Sequence, residues 1–591
     1  MSSVSEYVAA TLRAWRVDRV YGLPGHGVDP LVGALSGGAH APEFVQARHE
    51  ESAALMACAD AKLTGRVGCC VASSGSGVLR LVSGLYDAAL DRQPVLALIG
   101  ETTGPAPGRR RAVSPSDTIA QVCEYTESVS DPALVADALD RAVRAALTGR
   151  GAAALVLTRA VLEAAAPAGA RDTGRTAKTP VHFSPFVRSP ERAEVERAAE
   201  VLNAGRRVAV VVGPDGSGAA RQIVRLADRL GAGIARTPLG RDIVPDDVPG
   251  VAGVAAPFGG EPAHALLDGC DTLLLVGAHD LETGLIRPHE PPCMVSVDRN
   301  VDACPVGGLP SLTARLAGDV PRILDDLDPL LRDTEDRTWR TDVEQAVGNW
   351  RQTGRAKAYR FYGMAVNPRS VVAELSARLP ERAVVVSDCG TALDWWTRHL
   401  ELREGMCSTL SAGLRAPGAA VPYALAARLA FPDRPVIALV GDGALQTGGM
   451  NELITIRRHL ERLAGSPPTV LCVLNNEDSS RLTWERRSRE RDPRIPATGE
   501  VPAVSFTGFA ELVGLPAVRC RRPGEVAAAW DRALGGSGPT LLEFMVDGDT
   551  PPDWADPERP QGARPPSLHR VTGNSWRRRV AASLDELFGS G

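Results

Sequence analysis

Short apolar runs bounded by glycine, proline or charge recur along the chain, and helical patterns fill the intervals between them. In the first third, "RVGCCVAS" (66–73), "QPVLALIG" (93–100) and "AALVLT" (153–158) have the length and composition of buried strands. The middle third repeats the grammar with "RRVAVVVG" (206–213), "DTLLLVG" (271–277) and "MVSVD" (294–298). The last third holds "RAVVVSDCG" (382–390), "PVIALVGDG" (435–443), "TVLCVLNN" (469–476) and "PTLLEFMVD" (539–547). Strands apolar on both faces, alternating with helices, are the mark of parallel sheets covered on both sides. The expected fold class is α/β, with three doubly wound parallel-sheet domains. The first spans 1–166, and a Pro/Gly/Thr-rich linker, 167–192, separates it from a central domain at 193–335. A charged helical connection, 336–366, leads to the third domain at 367–549. The tail, 550–591, is Pro-rich and ends in a weak helical pattern, "RRVAASLDELF".

Length and charge narrow the classes. At ~150 residues per domain, 591 residues suggest three or four cores. A hydrophobic content of 44%, 23% charged residues and a net charge of −5 describe a globular chain. They give no electrostatic reason to expect nucleic acid or an anionic membrane as partner. The opening "MSSVSEYVAATLRAWRVDRV" carries charge throughout and lacks an apolar signal core. No run approaches the ~18 apolar residues of a membrane span. Eleven cysteines follow no regular spacing, and Cys69, Cys70 and Cys472 sit inside apolar runs. They read as reduced core thiols in a cytoplasmic protein.

Two strand ends carry the chemistry. "VIALVGDGALQTGGMNELITI" (436–456) stops its apolar run at Asp442, and "TVLCVLNNEDSS" (469–480) stops at Asn475 and Asn476. In open parallel sheets, ligands bind outside the carboxyl ends of the strands. Gly441 and Gly443 let the backbone approach a ligand, and a helix start beyond them favours anionic oxygens. Asp442 and Asn476 supply hard oxygen donors, the set that suits Mg²⁺ bridging a phosphorylated ligand. Either motif alone is ordinary turn chemistry. Together, at matched strand ends, they point to a metal–phosphate site.

The pair GDG and NN resembles the signature of thiamine-diphosphate-dependent enzymes. That resemblance assigns Mg²⁺ to the side chains of Asp442 and Asn476 and the main-chain carbonyl of Asp478. The spacer between the two pieces, 444–474, is longer than is usual in the family. "ARHEESAALMACADAKLTG" (47–65) resembles the segment carrying the family's catalytic glutamate, which places Glu50 against the aminopyrimidine ring. "YGLPGHGVDPLVGAL" (21–35), "SSGSG" (73–77) and "GLYDAALDRQPVLALIGE" (84–101) follow in family order. Likeness runs through about 5–165 and 365–550 and is weaker between. "SDCGTALDWWTRHL", "PGAAVPYALAARLAFPDRPVIALVGDGALQ" and "NNEDSSRLTWE" are similar to the pyruvate oxidase and acetolactate synthase group, particularly to pyruvate:quinone oxidoreductase-like proteins.

The resemblance implies a pyrimidine-binding first domain, a central domain and a diphosphate-binding third domain. Sites lie between subunits of a homodimer or homotetramer. It carries cofactor contacts onto Ser74, Gly75, Gly390, Thr391, Gly441, Gly443 and Ala444. Pro417 falls where the family keeps a bulky apolar support for the bent cofactor; it is short for that task, and Leu482 is the alternative. His26, in a substrate-facing loop, is a second catalytic candidate, able to orient a carboxylate or relay a proton. Arg481, Trp484 and Glu485 fall among substrate-pocket positions. Arg109 to Arg111 stand in 108–122, where many pyruvate oxidases carry a Gln-Glu pair, as either a solvated turn or an anion-selecting rim. FAD stays open: "VVVGPDGSGAA" (210–220) is glycine-rich without being GxGxxG, and "VGAHDLETGLIRP" (276–288) lacks the aromatic segment of flavin-binding relatives. The implied activity is decarboxylation of a pyruvate-like 2-oxo acid and transfer of the acyl carbanion to a carbonyl acceptor. Oxidation through FAD and simple decarboxylation are the alternatives. Carboligation is favoured because the oxidase-associated features are eroded. A non-catalytic paralogue is the reading outside enzymes, and retention of Glu50, Asp442 and Asn476 stands against it.

Overall fold

Three all-parallel sheets, each of six strands, follow one another along the chain. The computed structural model describes residues 3–37, 41–102, 113–166, 189–286, 291–300, 312–360, 365–490 and 496–555. The first sheet comprises β1 (Arg19–Gly22), β2 (Glu43–Gln46), β3 (Gly68–Ser73), β4 (Val95–Glu101), β5 (Cys123–Val129) and β6 (Ala152–Thr158), in the order β2-β1-β3-β4-β6-β5. The central sheet comprises β7 (Val208–Val212), β8 (Gly233–Arg236), β9 (Val251–Val254), β10 (Thr272–Val276), β11 (Cys293–Asp298) and β12 (Leu312–Ala317), in the order β12-β11-β10-β7-β8-β9. The third comprises β13 (Val384–Ser387), β14 (Cys407–Leu410), β15 (Val436–Gly441), β16 (Thr469–Asn475), β17 (Ala517–Cys520) and β18 (Pro539–Met545), in the order β14-β13-β15-β16-β18-β17.

The α/β fold class read from the apolar runs is the one observed, and each run named above holds a strand. Runs such as "VAVVV" in β7 are buried along their whole length, because helices cover both faces. The first and third sheets share one topology, with equivalent strands in equivalent places. The central sheet is wound differently, in the order of dinucleotide-binding folds. Among the described residues no helix is long and apolar enough to cross a membrane, and every described cysteine is a free thiol.

Two helical expectations change in detail. The charged connection forms one helix, Thr338–Ala358. The pattern after Asp442 breaks into two helices, Asp442–Thr447 and Glu452–Arg458. Gly449, at φ +84°, makes the break, and a Cβ there would lie 2.5 Å from Gly418 O. The kink therefore lets the chain around Gly418 pack against it. The final helical pattern, Arg109 to Arg111 and most of the linker (167–188) lie outside the described residues.

The first and third units share a core. Helix Glu50–Thr64 packs on helix Ala420–Ala430, both rich in buried alanine, whose small side chains let the helices approach. A buried polar network fixes their register. Lys62 Nζ donates to Asp91 (2.5 Å), Tyr423 Oη (2.7 Å) and Leu410 O (2.9 Å), with Asp87 at 3.6 Å. Asp91 accepts from the backbone N–H of Ala412 (3.0 Å) and Gly413 (2.6 Å), and Asp87 from Ser411 Oγ (2.6 Å). Desolvation opposes the Lys62 charge, but the two carboxylates outweigh it and hold the ammonium protonated. Removing the cation alone leaves both carboxylates buried and uncompensated. Lys62→Met is expected to lose about 3–5 kcal/mol in denaturant unfolding. A loss under about 1 kcal/mol would show that the network is not what holds the two units together.

Candidate active site

Asp442 is the first residue after β15 and opens the helix Asp442–Thr447. Its Oδ1 accepts from Gly443 N (2.8 Å), and its Oδ2 from Asn476 N (3.1 Å) and Glu477 N (2.6 Å). Burial pushes the carboxyl up to about 6, against the opposing pull of these three N–H groups. The N–H groups of Asn476 and Glu477 come alongside because β15 and β16 are neighbours in register, Gly441 opposite Leu474.

The two asparagines then part. Asn475 Nδ2 donates to Glu543 (2.8 Å), a fully buried carboxylate that also accepts from Arg519 Nε (2.9 Å) and Thr507 N (3.0 Å). Asn475 is thereby committed to the core. Asn476 turns toward Asp478 and Ser480: its Oδ1 accepts from Asp478 N (3.1 Å) and its Nδ2 donates to Ser480 Oγ. Glu477, at φ +53°, makes the turn. Asp478 O accepts from Ser480 N (2.7 Å) and from Ser480 Oγ (3.4 Å). Asp442 at the end of β15 is thus tied by its Oδ2 to the loop after β16, which carries Asn476 and Asp478. Among the described residues no cluster of three or more His, Cys, Asp or Glu could hold a metal. A set of one carboxylate, one amide and one main-chain carbonyl fits Mg²⁺ that takes its remaining oxygens from a diphosphate.

Neighbouring strand ends complete this edge. Gly390 (φ +79°) caps the helix Thr391–His399 and leaves open space around its Cα. Asp388, which the sequence reading passed over, accepts from Cys389 N (2.8 Å), Gly418 N (3.1 Å) and Ala420 N (3.4 Å). Burial pushes it up to about 6. It pins the turn that carries Pro417, which is exposed within the single chain. Gly418 (φ +84°) permits the contact below, since a Cβ there would lie 2.1 Å from Gly448 O. Leu482 is 61% exposed. Arg481 bonds Asp394 Oδ1 (2.9 Å) and Glu485 Oε1 (3.2 Å), with the Trp554 ring 5.4 Å away. Asp394 is a second residue that sequence reasoning missed. Trp484 lies instead under the Arg487 guanidinium, at 4.8 Å.

The corresponding edge of the first sheet carries the other candidates. Glu50 begins its helix, beside His49, whose Nδ1 accepts from Glu51 N (3.3 Å). Glu50 is 8% exposed; its Oε2 is buried with no hydrogen-bond partner, and Arg80 Nη1 lies 3.7 Å from it. Gly77 makes room, since a Cβ there would lie 3.3 Å from Glu50 Oε1. A buried carboxylate oxygen without a partner is costly, and it fits a ring N–H brought in by a ligand. Ser74 N donates to Gly100 O (2.8 Å), and Gly75 (φ +81°) caps the helix Ser76–Leu90. His26 is exposed. Its Nδ1 lies 3.3 Å from Arg159 Nη1, which also donates to His26 O (2.8 Å). The loop bearing it is pressed onto the sheet, since Cβ atoms on Gly25 and Gly27 would lie 2.2 Å from Ser73 Oγ and 2.3 Å from Gly100 O.

Comparison with known proteins bears on the whole arrangement. Residues 2–114 match the family model "Thiamine pyrophosphate enzyme, N-terminal TPP binding domain", 195–327 the "central domain" and 388–544 the "C-terminal TPP binding domain". The chain is 27% identical to the thiamine pyrophosphate-containing protein YdaP of Bacillus subtilis (strain 168), over 92% of this chain and 91% of that one. It is 27% identical to pyruvate oxidase of Lactiplantibacillus plantarum, over 92% and 88%. Its identity to acetolactate synthase isozyme 2 large subunit of Escherichia coli (strain K12) is 28%, over 92% and 95%. With three family models matched in order, the chain belongs to the thiamine pyrophosphate enzymes, in the group of the pyruvate oxidases and acetolactate synthases.

Proposed function

We propose that the protein is a Mg²⁺- and thiamine-diphosphate-dependent enzyme that decarboxylates a pyruvate-like 2-oxo acid and joins the acyl fragment to a carbonyl acceptor. The observation that carries this reading is the bonding of the Asp442 carboxylate, at the end of β15, to the backbone of the loop after β16 that carries Asn476 and Asp478. Asp442, Asn476 and the Asp478 carbonyl would hold the metal. Backbone N–H groups near Gly390, Thr391, Gly441, Gly443 and Ala444 would take the diphosphate, with Ser74 and Gly75 contributing from the first-sheet edge of a second chain. Pro417 and Leu482 would flank the cofactor. Bound thiamine diphosphate supplies the electron sink for decarboxylation.

The chain's own residues do the rest. Glu50, with a free buried oxygen, holds the proton at the pyrimidine nitrogen. Arg481, fixed by Asp394 and Glu485, offers a guanidinium to the substrate carboxylate, and Trp484 lies on the same helix. His26, beside Arg159, orients that carboxylate from the other edge. A homodimer or homotetramer follows, since each edge serves a site completed by the other chain. The relatives named pyruvate oxidase and acetolactate synthase support the substrate class.

Incubation with ¹³C-pyruvate, thiamine diphosphate and Mg²⁺, followed by NMR, tests the outcome of the reaction. A product with a new carbon–carbon bond to the acceptor is expected. Free aldehyde as sole product would mean simple decarboxylation, and acetate formed only with an electron acceptor would mean oxidation.

A further inference from the structure

The central sheet has the strand order of dinucleotide-binding folds, and its winding reverses between β7 and β10. A diphosphate placed there needs glycine-lined space and uncommitted N–H or cationic donors. Three observations show that the place is taken. The loops after β7 and β10 are bonded to each other, Gly213 N to Val276 O (2.9 Å) and Asp215 N to Gly277 O (3.2 Å). A Cβ on Gly213 would lie 2.3 Å from Ala278 Cα, and one on Gly240 would lie 2.4 Å from Val212 O, so the three loops meet backbone to backbone.

A buried carboxylate at this end of the sheet faces two arginines and a histidine. Asp215, 2% exposed, lies 3.5 Å from Arg150 Nη1, 3.5 Å from His279 Nδ1 and 3.7 Å from Arg299 Nε. Burial alone would raise its pKa, but the adjacent His279 ring and the charges of Arg150 and Arg299 outweigh it and hold the carboxyl at about 2. Among the described residues, what stays buried and unpaired nearby is Asp280 Oδ1 and Asp298 Oδ1, which are acceptors, and the two ring nitrogens of His279. A diphosphate would add its negative charge to three carboxylates and find the Leu239 N–H already given to Asp280 (3.0 Å).

We infer that the Asp215 carboxylate stands where a flavin dinucleotide's diphosphate would lie, that the central sheet is closed to FAD, and that electrons from the decarboxylation reading proposed above have no flavin to enter. The last clause rests on that reading; the closure does not.

The full-length protein tests this directly. Acid-denatured supernatant is expected to contain no stoichiometric flavin, and FAD added in excess should keep its free fluorescence. The same sample should bind thiamine diphosphate with Mg²⁺, so failure at Asp442 and failure here are read separately. Stoichiometric flavin release, or saturable quenching of FAD, overturns the inference. Asp215→Asn should lower the melting temperature by leaving Arg150 and Arg299 without their counter-charge. An unchanged melting temperature would remove Asp215 from that role and overturn it as well.

Discussion

Asp442→Ala is expected to lose most of its affinity for thiamine diphosphate while keeping its fold. The side chain reaches three N–H groups of its own turn and the next, and none of the apolar cores depends on it. Alanine therefore opens the loop, where the N–H groups can turn to water, and leaves β15 buried as before. Affinity falls because the metal loses its one carboxylate, and the diphosphate loses the metal that neutralises it. Calorimetric titration in the presence of Mg²⁺ reads the loss directly. Wild-type binding should also fail in EDTA and weaken as the pH drops through about 6, where the buried carboxyl takes up a proton in competition with the metal. Unchanged affinity in the variant, or indifference to EDTA, would remove the metal assignment.

Glu50→Gln should do the opposite: near-normal cofactor binding with crippled activation. The proposed metal contacts and most of the proposed diphosphate contacts lie on the third sheet, whereas Glu50 sits at the carboxyl edge of the first. Glutamine keeps the size and polarity of the side chain but cannot take the proton-holding role. General acid–base contributions are typically about 10²–10⁴-fold, and a loss of that size is expected in cofactor activation. The Gly77 clearance over Oε1 admits the amide, so misfolding is not the anticipated cause. Equal activation in variant and wild type would leave Glu50 as a first-turn acidic residue of its helix with no part in activation.

Fold and site were legible to different depths. Long strands buried on both faces, such as β4, β7 and β16, announce themselves as apolar runs. Four-residue strands such as β1, β8, β14 and β17 are too short to show a period, and β5, "CEYTESV", is a half-exposed edge strand that reads as polar. Asp442 and Asn476 were readable because each stands where an apolar run ends. Asp388 stands at a similar strand end, yet its purpose is visible only when the chain returns with Gly418 and Ala420. Asp394 is likewise explained by Arg481, far along the sequence. The central domain was the least legible. "GPDGSG" looks like a neutral glycine-rich turn until Arg150 arrives from the first unit and His279 from the end of β10. Pairings of that range leave no mark in local composition.

The most direct test of thiamine-diphosphate catalysis by this chain is exchange of the cofactor's C2 proton for deuterium, followed by quenched-flow NMR without any substrate. Bound to the wild-type protein with Mg²⁺, the proton is expected to exchange at least about 10²-fold faster than in free cofactor, the lower end of what a positioned acid–base group contributes. Exchange no faster than in free thiamine diphosphate, in a sample shown to have bound it, would contradict the enzyme reading.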